Sequence, residues 1–318
     1  MASRCRTVAG VRVVVAGGSG ALGRRLCERL DERGHDVVVL SRRSSASPHR
    51  TVLWDGRSVG AWADELSGSA VVNLAGALVD RRPTPGNVRL LTTSRIEPTR
   101  ALSRAALGRD VSVWLQASTL AIHGDAGESV ITESSPAADG PPQMAGVARA
   151  WEASAMDAPV RRQVILRTSI VLDQHTPALD RLAGIVRAGL GGRVGNGQQW
   201  FSWIHVEDWL RIAVDLLEGQ APAGALSGVV VATAPMPVRN EELMRTLRTV
   251  LRRPPSPPTP EWAVKVGALL LRTDPALGLT GRRAVPSRLL GVGFQFSQPH
   301  LDAALSDLLG RPARAGAK

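Results

Sequence analysis

Apolar residues fall along the chain in short unbroken runs, separated by stretches of helical periodicity. Val11–Ala16 is mostly valine and ends in Gly17-Gly18-Ser19-Gly20. Leu22, Leu26 and Leu30 then recur every fourth residue and share one helix face. Gly34 follows the last turn as a stop signal, and Val37–Leu40 is apolar again. Strand, glycine turn, helix and strand make a βαβ unit, and continuously apolar strands suit a parallel sheet covered on both faces. The same reading predicts strands at Thr51–Trp54, Ala70–Ala75, Val111–Ala117, Gln163–Leu172 and Val229–Thr233. Helices are predicted between them at Asn87–Leu107, Ala145–Met156 and Val206–Leu217.

Alternating strands and helices predict an α/β fold, a Rossmann doubly wound parallel sheet with a small helix-rich C-terminal lobe. The sheet domain is expected from residues 11–172 and 206–233. The lobe is expected from 173–205 and 234–310, with tails at 1–10 and 311–318. Two regions support a lobe. His175–Trp203 holds a helix and a glycine-rich loop, and Ala234–Leu309 is helix-rich with five prolines between Arg253 and Pro260. Asn240, followed by Glu241 and Glu242, reads as an N-cap with acidic residues at the positive end of a helix.

Composition narrows the classes. With 44% hydrophobic and 21% charged residues, the chain has ordinary globular usage. No run approaches the roughly 18 apolar residues of a membrane span, and Met1–Gly10 has no apolar core of a secretory signal. A cytoplasmic protein with no membrane partner is expected. Cys5 and Cys27 are too few for a disulfide scaffold. The net charge of +11 comes almost wholly from arginine, in scattered doublets such as Arg42-Arg43, Arg161-Arg162 and Arg282-Arg283. Without a basic run or interleaved aromatics, these read mostly as solvated surface, and no nucleic-acid partner is expected. The six histidines show no metal-site spacing. Tyrosine is absent and lysine occurs only at 265 and 318, which excludes any tyrosine general acid and any Tyr-Lys pair.

Gly17-x-x-Gly20-x-x-Gly23 stands where the first strand turns into the first helix. A dinucleotide needs this pattern. The first glycine makes the tight turn, the second lets backbone approach the pyrophosphate, and the third lets helix pack on strand. The helix N-terminus then offers free N–H groups to phosphate. Dinucleotide folds that select NAD place a carboxylate after the second strand, for the ribose 2′-hydroxyl. Here Ser41-Arg42-Arg43 stands there instead, which suits a 2′-phosphate and predicts NADP(H).

Gly17–Gly23 with Asn73-Leu74-Ala75-Gly76 resembles the extended short-chain dehydrogenase/reductases, the NAD(P)-dependent epimerase/dehydratase superfamily. Further segments are similar to an atypical subgroup of sugar-epimerase-like proteins with a C-terminal domain of unknown function. They are Ser94–Ile96, Arg149–Glu152, Arg167–Leu172, Gly189–Gly192, Gln199–His205 and Gly293–Phe296. The resemblance covers Val11 to Leu309 and implies an NADP-dependent oxidoreductase or epimerase acting on a small carbonyl or alcohol. Cofactor contacts are implied at Gly17, Ser19, Gly20, Ala21, Leu22, Gly23, Leu74, Ala75, Gly76 and Val171, besides Ser41, Arg42 and Arg43. Arg95 is implied as a charge partner to cofactor phosphate, against a plain surface arginine. Typical members use a Tyr and a Lys four residues apart. Aligning on Glu152 puts Met144 and Ala148 at those positions, and neither can do acid–base work. Glu152 itself reads as structural.

Two groups remain for the proton. Ser118 ends the fifth strand, where this fold places chemistry. His123 lies just beyond and titrates near neutrality. Each reads either as a catalytic group or as a residue satisfying local backbone. Trp200, Trp203 and His205 are expected to wall a substrate pocket, or else to pack a hinge; Trp209 is expected in the hinge. A non-catalytic NADP-binding regulatory or scaffold protein is the competing expectation.

Overall fold

The computed structural model describes residues 10–44, 47–174, 176–270 and 272–310. His175 and the expected tails, Gly10 apart, lie outside them. The first half contains β1 (Arg12–Ala16), α1 (Ala21–Glu32), β2 (Asp36–Ser41), β3 (Arg50–Leu53), β4 (Ala70–Asn73), α2 (Pro85–Ala106), β5 (Val113–Thr119), β6 (Val130–Ile131) and α3 (Val147–Ala153). Then come β7 (Gln163–Thr168), β8 (Ile170–Leu172), α4 (Pro177–Arg187), β9 (Trp200–Phe201), β10 (Trp203–His205), α5 (Val206–Glu218) and β11 (Gly228–Ala232). The chain closes with β12 (Val238–Arg239), α6 (Asn240–Val250), α7 (Glu261–Leu270), α8 (Ala276–Leu279), β13 (Arg283–Ala284), α9 (Ser287–Gly291) and α10 (Leu301–Leu309).

The valine-rich runs pair into one seven-stranded sheet in the order β11-β7-β5-β4-β1-β2-β3. Each pairing in it is parallel. The pleat sorts side chains by parity. Val13 and Val15 of β1 pack with Leu26 and Leu30 of α1 and with Trp209 and Ile212 of α5. Val14 and Ala16 pack on the other face with Leu102 and Ala105 of α2. Strand order reverses at β1, so a crevice opens between the ends of β1 and β4, the place where such sheets take ligands. A third apolar cluster joins Leu179 of α4, Leu243 and Leu247 of α6, and Leu301 and Leu305 of α10.

Three expectations need correction. The run Gln163–Leu172 is two strands: the chain leaves the sheet at Ser169, and β8 pairs with β10 instead. The helix expected over 145–156 is shorter at its C-terminal end and enters through a π turn, Pro142–Gly146. Asn240 does not cap α6. It is the first helical residue, and its Oδ1 accepts the Val194 N–H at 2.8 Å, tying the 194 loop to the helix.

Candidate active site

The glycine turn has the shape the spacing predicts. Gly17 sits at φ +87°, and a Cβ there would fall 2.7 Å from the Leu74 carbonyl. At Gly23 a Cβ would meet the Gly17 oxygen at 2.3 Å, so close packing of α1 on the turn demands glycine. Gly20 differs. Only the Gly17 oxygen, at 3.3 Å, lies near its missing Cβ, so the protein leaves that space open. The α1 N-terminus has no side-chain cap and no acidic residue in its first turn. Its N–H groups, which begin beside Ser19, Ala21 and Leu22, are therefore available to an anion.

At the end of β2 the buried Ser41 hydroxyl donates to the Arg43 carbonyl at 2.8 Å, which turns the chain outward. Arg42 and Arg43 are exposed, and among the described residues neither guanidinium has a partner. Asp36 is at the other end of the strand, paired with Arg12 at 2.9 Å.

The segment after β4 is fixed from below. Buried Asn73 donates to Thr99 Oγ1 and Gln116 Oε1 at 2.8 and 2.9 Å and accepts from the Ala75 N–H. Arg95 is placed otherwise than expected. Its guanidinium is buried, donates to the carbonyls of Leu91 and Ala77, and lies 5.0 Å from the Trp151 ring. A Cβ on Gly76 would strike it at 3.0 Å, so Arg95 supports the Leu74–Gly76 segment and is not set out for phosphate. Burial pushes its pKa down to about 10. Val171 is half-buried in β8, paired with Ile204.

Ser118, on β5, lies opposite Arg167 of β7. Glu152 joins them: it accepts two bonds of 2.9 Å from Arg167 and one of 2.5 Å from the Ser118 hydroxyl. All three are buried. The Ser118 proton is thus committed to a carboxylate, and its oxygen keeps only acceptor capacity toward a ligand. Sequence reasoning left Glu152 and Arg167 out of the site. The available signal was a charge inside the apolar strand 163–168 and another on the buried face of α3.

His123 ends a 3-10 turn, Leu120–His123, and is 6% exposed. Its Nδ1 lies 2.9 Å from the Pro136 carbonyl, which only accepts, so Nδ1 carries the proton and Nε2 holds a lone pair. Nε2 is buried with no protein partner. Burial lowers the His123 pKa, and nearby Arg167 and Arg282 add to the effect. Met144 and Ala148, at the positions of the missing pair, are both buried. The Met144 sulfur accepts from Arg282 Nη2 at 3.5 Å, so an arginine read as surface lies inside the site.

The tryptophan segment is mostly structural. Trp203 is fully buried in the third cluster and donates to the Met236 carbonyl, so it walls no pocket. His205 caps α5 by accepting the Glu207 N–H at Nδ1, with Asp307 3.2 Å from Nε2. Trp209, expected in a hinge, packs instead in the core of the sheet and donates to Thr168. Trp200 lines a cavity of about 260 Å³ with Asp125, Glu128, Glu261 and Gly281. Among the described residues no cluster of three or more His, Cys, Asp or Glu could hold a metal ion. None of their helices is long and apolar enough to cross a membrane.

Comparison with known proteins adds to this geometry. The model of the NAD dependent epimerase/dehydratase family matches residues 13–226, and that of a domain of unknown function, DUF1731, matches residues 259–308. Epimerase family protein ML0860 of Mycobacterium leprae (strain TN) is 33% identical over 306 residues, covering 95% of this chain and 97% of that protein. Epimerase family protein SDR39U1 of Bos taurus is 32% identical over 309 residues, covering 94% of this chain and 100% of that protein. The crystal structure of human epimerase family protein SDR39U1 (isoform2) with NADPH is 30% identical, with a TM-score of 0.82 over 94% of this chain and 99% of that one.

Proposed function

Since the chain belongs to the NAD dependent epimerase/dehydratase family, we propose that it binds NADP(H) and transfers hydride between that cofactor and a small carbonyl or alcohol, as an oxidoreductase or an epimerase. The observation that carries the cofactor choice is the pair of exposed, unpartnered guanidiniums of Arg42 and Arg43 at the end of β2. The human relative solved with NADPH supports the same choice. The residues present fit the group: the open space at Gly20 admits a pyrophosphate, and the uncapped α1 supplies N–H groups to it. Leu74–Gly76 and Val171 would form the wall beside the rest of the cofactor.

A bound nicotinamide would supply the hydride acceptor or donor. The chain's own task is the proton. His123 Nε2 would take the O–H proton of an alcohol substrate as its carbon loses hydride and becomes a carbonyl, and would return that proton in the reverse reaction. The Pro136 carbonyl holds the ring in the tautomer this requires. Ser118 stays out of the proton transfer, because its hydroxyl is turned inward onto Glu152, which Arg167 holds in place.

Titration of the protein with NADPH and NADH tests the cofactor reading, with NADPH expected to bind more tightly; equal affinities would overturn it. A second reading, a cofactor-binding protein without catalysis, is favoured by the Ser118 proton committed to Glu152 and by Met144 and Ala148 at the missing pair. Absence of NADPH oxidation across a broad carbonyl panel would move the assignment there.

A further inference from the structure

Arg282 and His123 leave two buried polar atoms without partners, and the two residues lie on adjoining elements. His123 Nε2 and Arg282 Nε are both inaccessible and unpaired. The turn Leu120–His123 packs on the turn Pro142–Gly146, and from the other side Arg282 Nη2 reaches Met144 in that same turn. Arg282 stands one residue before β13, held by its backbone: its N–H donates to the Trp200 carbonyl, and its carbonyl accepts from Ser202.

Nothing in the described chain neutralises this guanidinium at ion-pair distance. Glu152 is taken by Arg167 and Ser118, and Asp125 Oδ1 accepts the Gly281 N–H at 3.1 Å. The one side-chain acceptor it reaches is a thioether, a weak one. A half-buried cation whose Nε is sealed from solvent without a partner costs stability unless a ligand completes it. The two groups are complementary in what they lack. A guanidinium needs an anionic acceptor; a neutral imidazole lone pair needs a donor. A single unpaired cation matches a monoanion, a carboxylate, better than a phosphate dianion.

We propose that Arg282 and His123 together recognise a hydroxy-carboxylate, its carboxylate on the Arg282 guanidinium and its hydroxyl on His123 Nε2. This rests on the functional reading above and names its substrate class: the hydroxyl bound by Nε2 is the one oxidised, and the corresponding oxo acid is the product.

The test is calorimetric titration of the full chain, with and without NADPH, using 2-hydroxybutyrate and 3-hydroxybutyrate. Their methyl esters remove the charge, and butyrate removes the hydroxyl. At least one hydroxy acid is expected to bind saturably, with its ester and butyrate each roughly tenfold weaker or worse. R282Q is expected to bind the acid no better than the ester while keeping NADPH affinity. Esters binding as tightly as acids, R282Q binding the acid like the wild type, or no saturable binding of either hydroxy acid would each overturn the proposal. The ester series needs no variant, so it decides even if R282Q fails to fold. Failure of NADPH itself to bind would strike the earlier cofactor reading, whatever the acids do.

Discussion

Arg42 should decide between the two cofactors. A charge-assisted contact to a 2′-phosphate contributes about 1.5–3 kcal/mol, one to two decades of affinity. Arg42→Ala is therefore expected to weaken NADPH by that factor and to leave NADH unchanged, read by fluorescence titration; a parallel loss for both would point to damage elsewhere. His123 carries a pH prediction whose sign follows from its burial. Its pKa in the folded protein lies below the ordinary 6.5, so between the two values the unfolded chain binds the extra proton. Its contribution to stability is full above 6.5 and is lost as pH falls toward the depressed value. Denaturant titrations at pH 7.5 and 5.5 should show a smaller acid loss in His123→Gln than in the wild type. Any activity that uses Nε2 as a base should persist below pH 6.5 and fall only further on the acid side; a break at or above 6.5 would contradict this. The sequence made His123 and Ser118 visible because one stands just beyond the end of β5 and the other at that end. It could not show that Ser118 is bonded to Glu152, since that contact joins residues 34 positions apart. Nor could it separate Arg282 from Arg283: the two adjoin in sequence, yet one reaches the Met144 sulfur and the other stacks on Trp200.

Among elements, the turn from β1 to α1 was fully legible, because each glycine has a separate steric reason. Those reasons predict different failures. In Gly23→Ala the new Cβ would sit 2.3 Å from a backbone oxygen, an overpacking expected to cost roughly 1–3 kcal/mol in urea unfolding. Gly20→Val fills space the protein does not use, so circular dichroism should stay native while NADPH binding is lost. Undiminished binding in Gly20→Val would place the cofactor elsewhere. The strands were legible for a related reason: a strand covered on both faces must be apolar throughout, and few other structures demand that. The same rule hid the break in 163–172. Ile170, Val171 and Leu172 are as apolar as the strand before them, but β8 serves a second small sheet with β10. Arg162 shows the reverse failure. Half of a doublet read as surface, it donates to the carbonyls of Gly224 and Leu226 at 2.9 and 3.0 Å and so holds the segment after α5.

At the scale of the whole molecule, α5 joins the sheet to the C-terminal segment. One face, with Trp209 and Ile212, packs in the core of the sheet. From the same helix, Asp208, with no exposed surface, accepts the N–H groups of Ser297 and Gln298 at 2.7 and 2.9 Å. Arg211 adds a stack over Phe294 at 5.0 Å, and His205, at the cap, lies 3.2 Å from Asp307 of α10. These contacts were not legible in the sequence, because the spacing between 208 and 297 carries no periodic signal. They position α10, which closes the third cluster against α6. Two charge-assisted bonds to a buried carboxylate should dominate this junction, at roughly 1.5–3 kcal/mol each. Asp208→Ala is therefore expected to loosen the C-terminal segment before the sheet. In hydrogen exchange, the amides of 297–309 should speed up by at least one to two decades while those of β1, β4 and β5 keep their rates, since local opening needs only the contacts of that segment to break. Equal acceleration in the sheet would mean that segment and sheet unfold as one unit, and unchanged rates at 297–309 would mean that the apolar contacts of Phe294 and α10 hold the segment without Asp208.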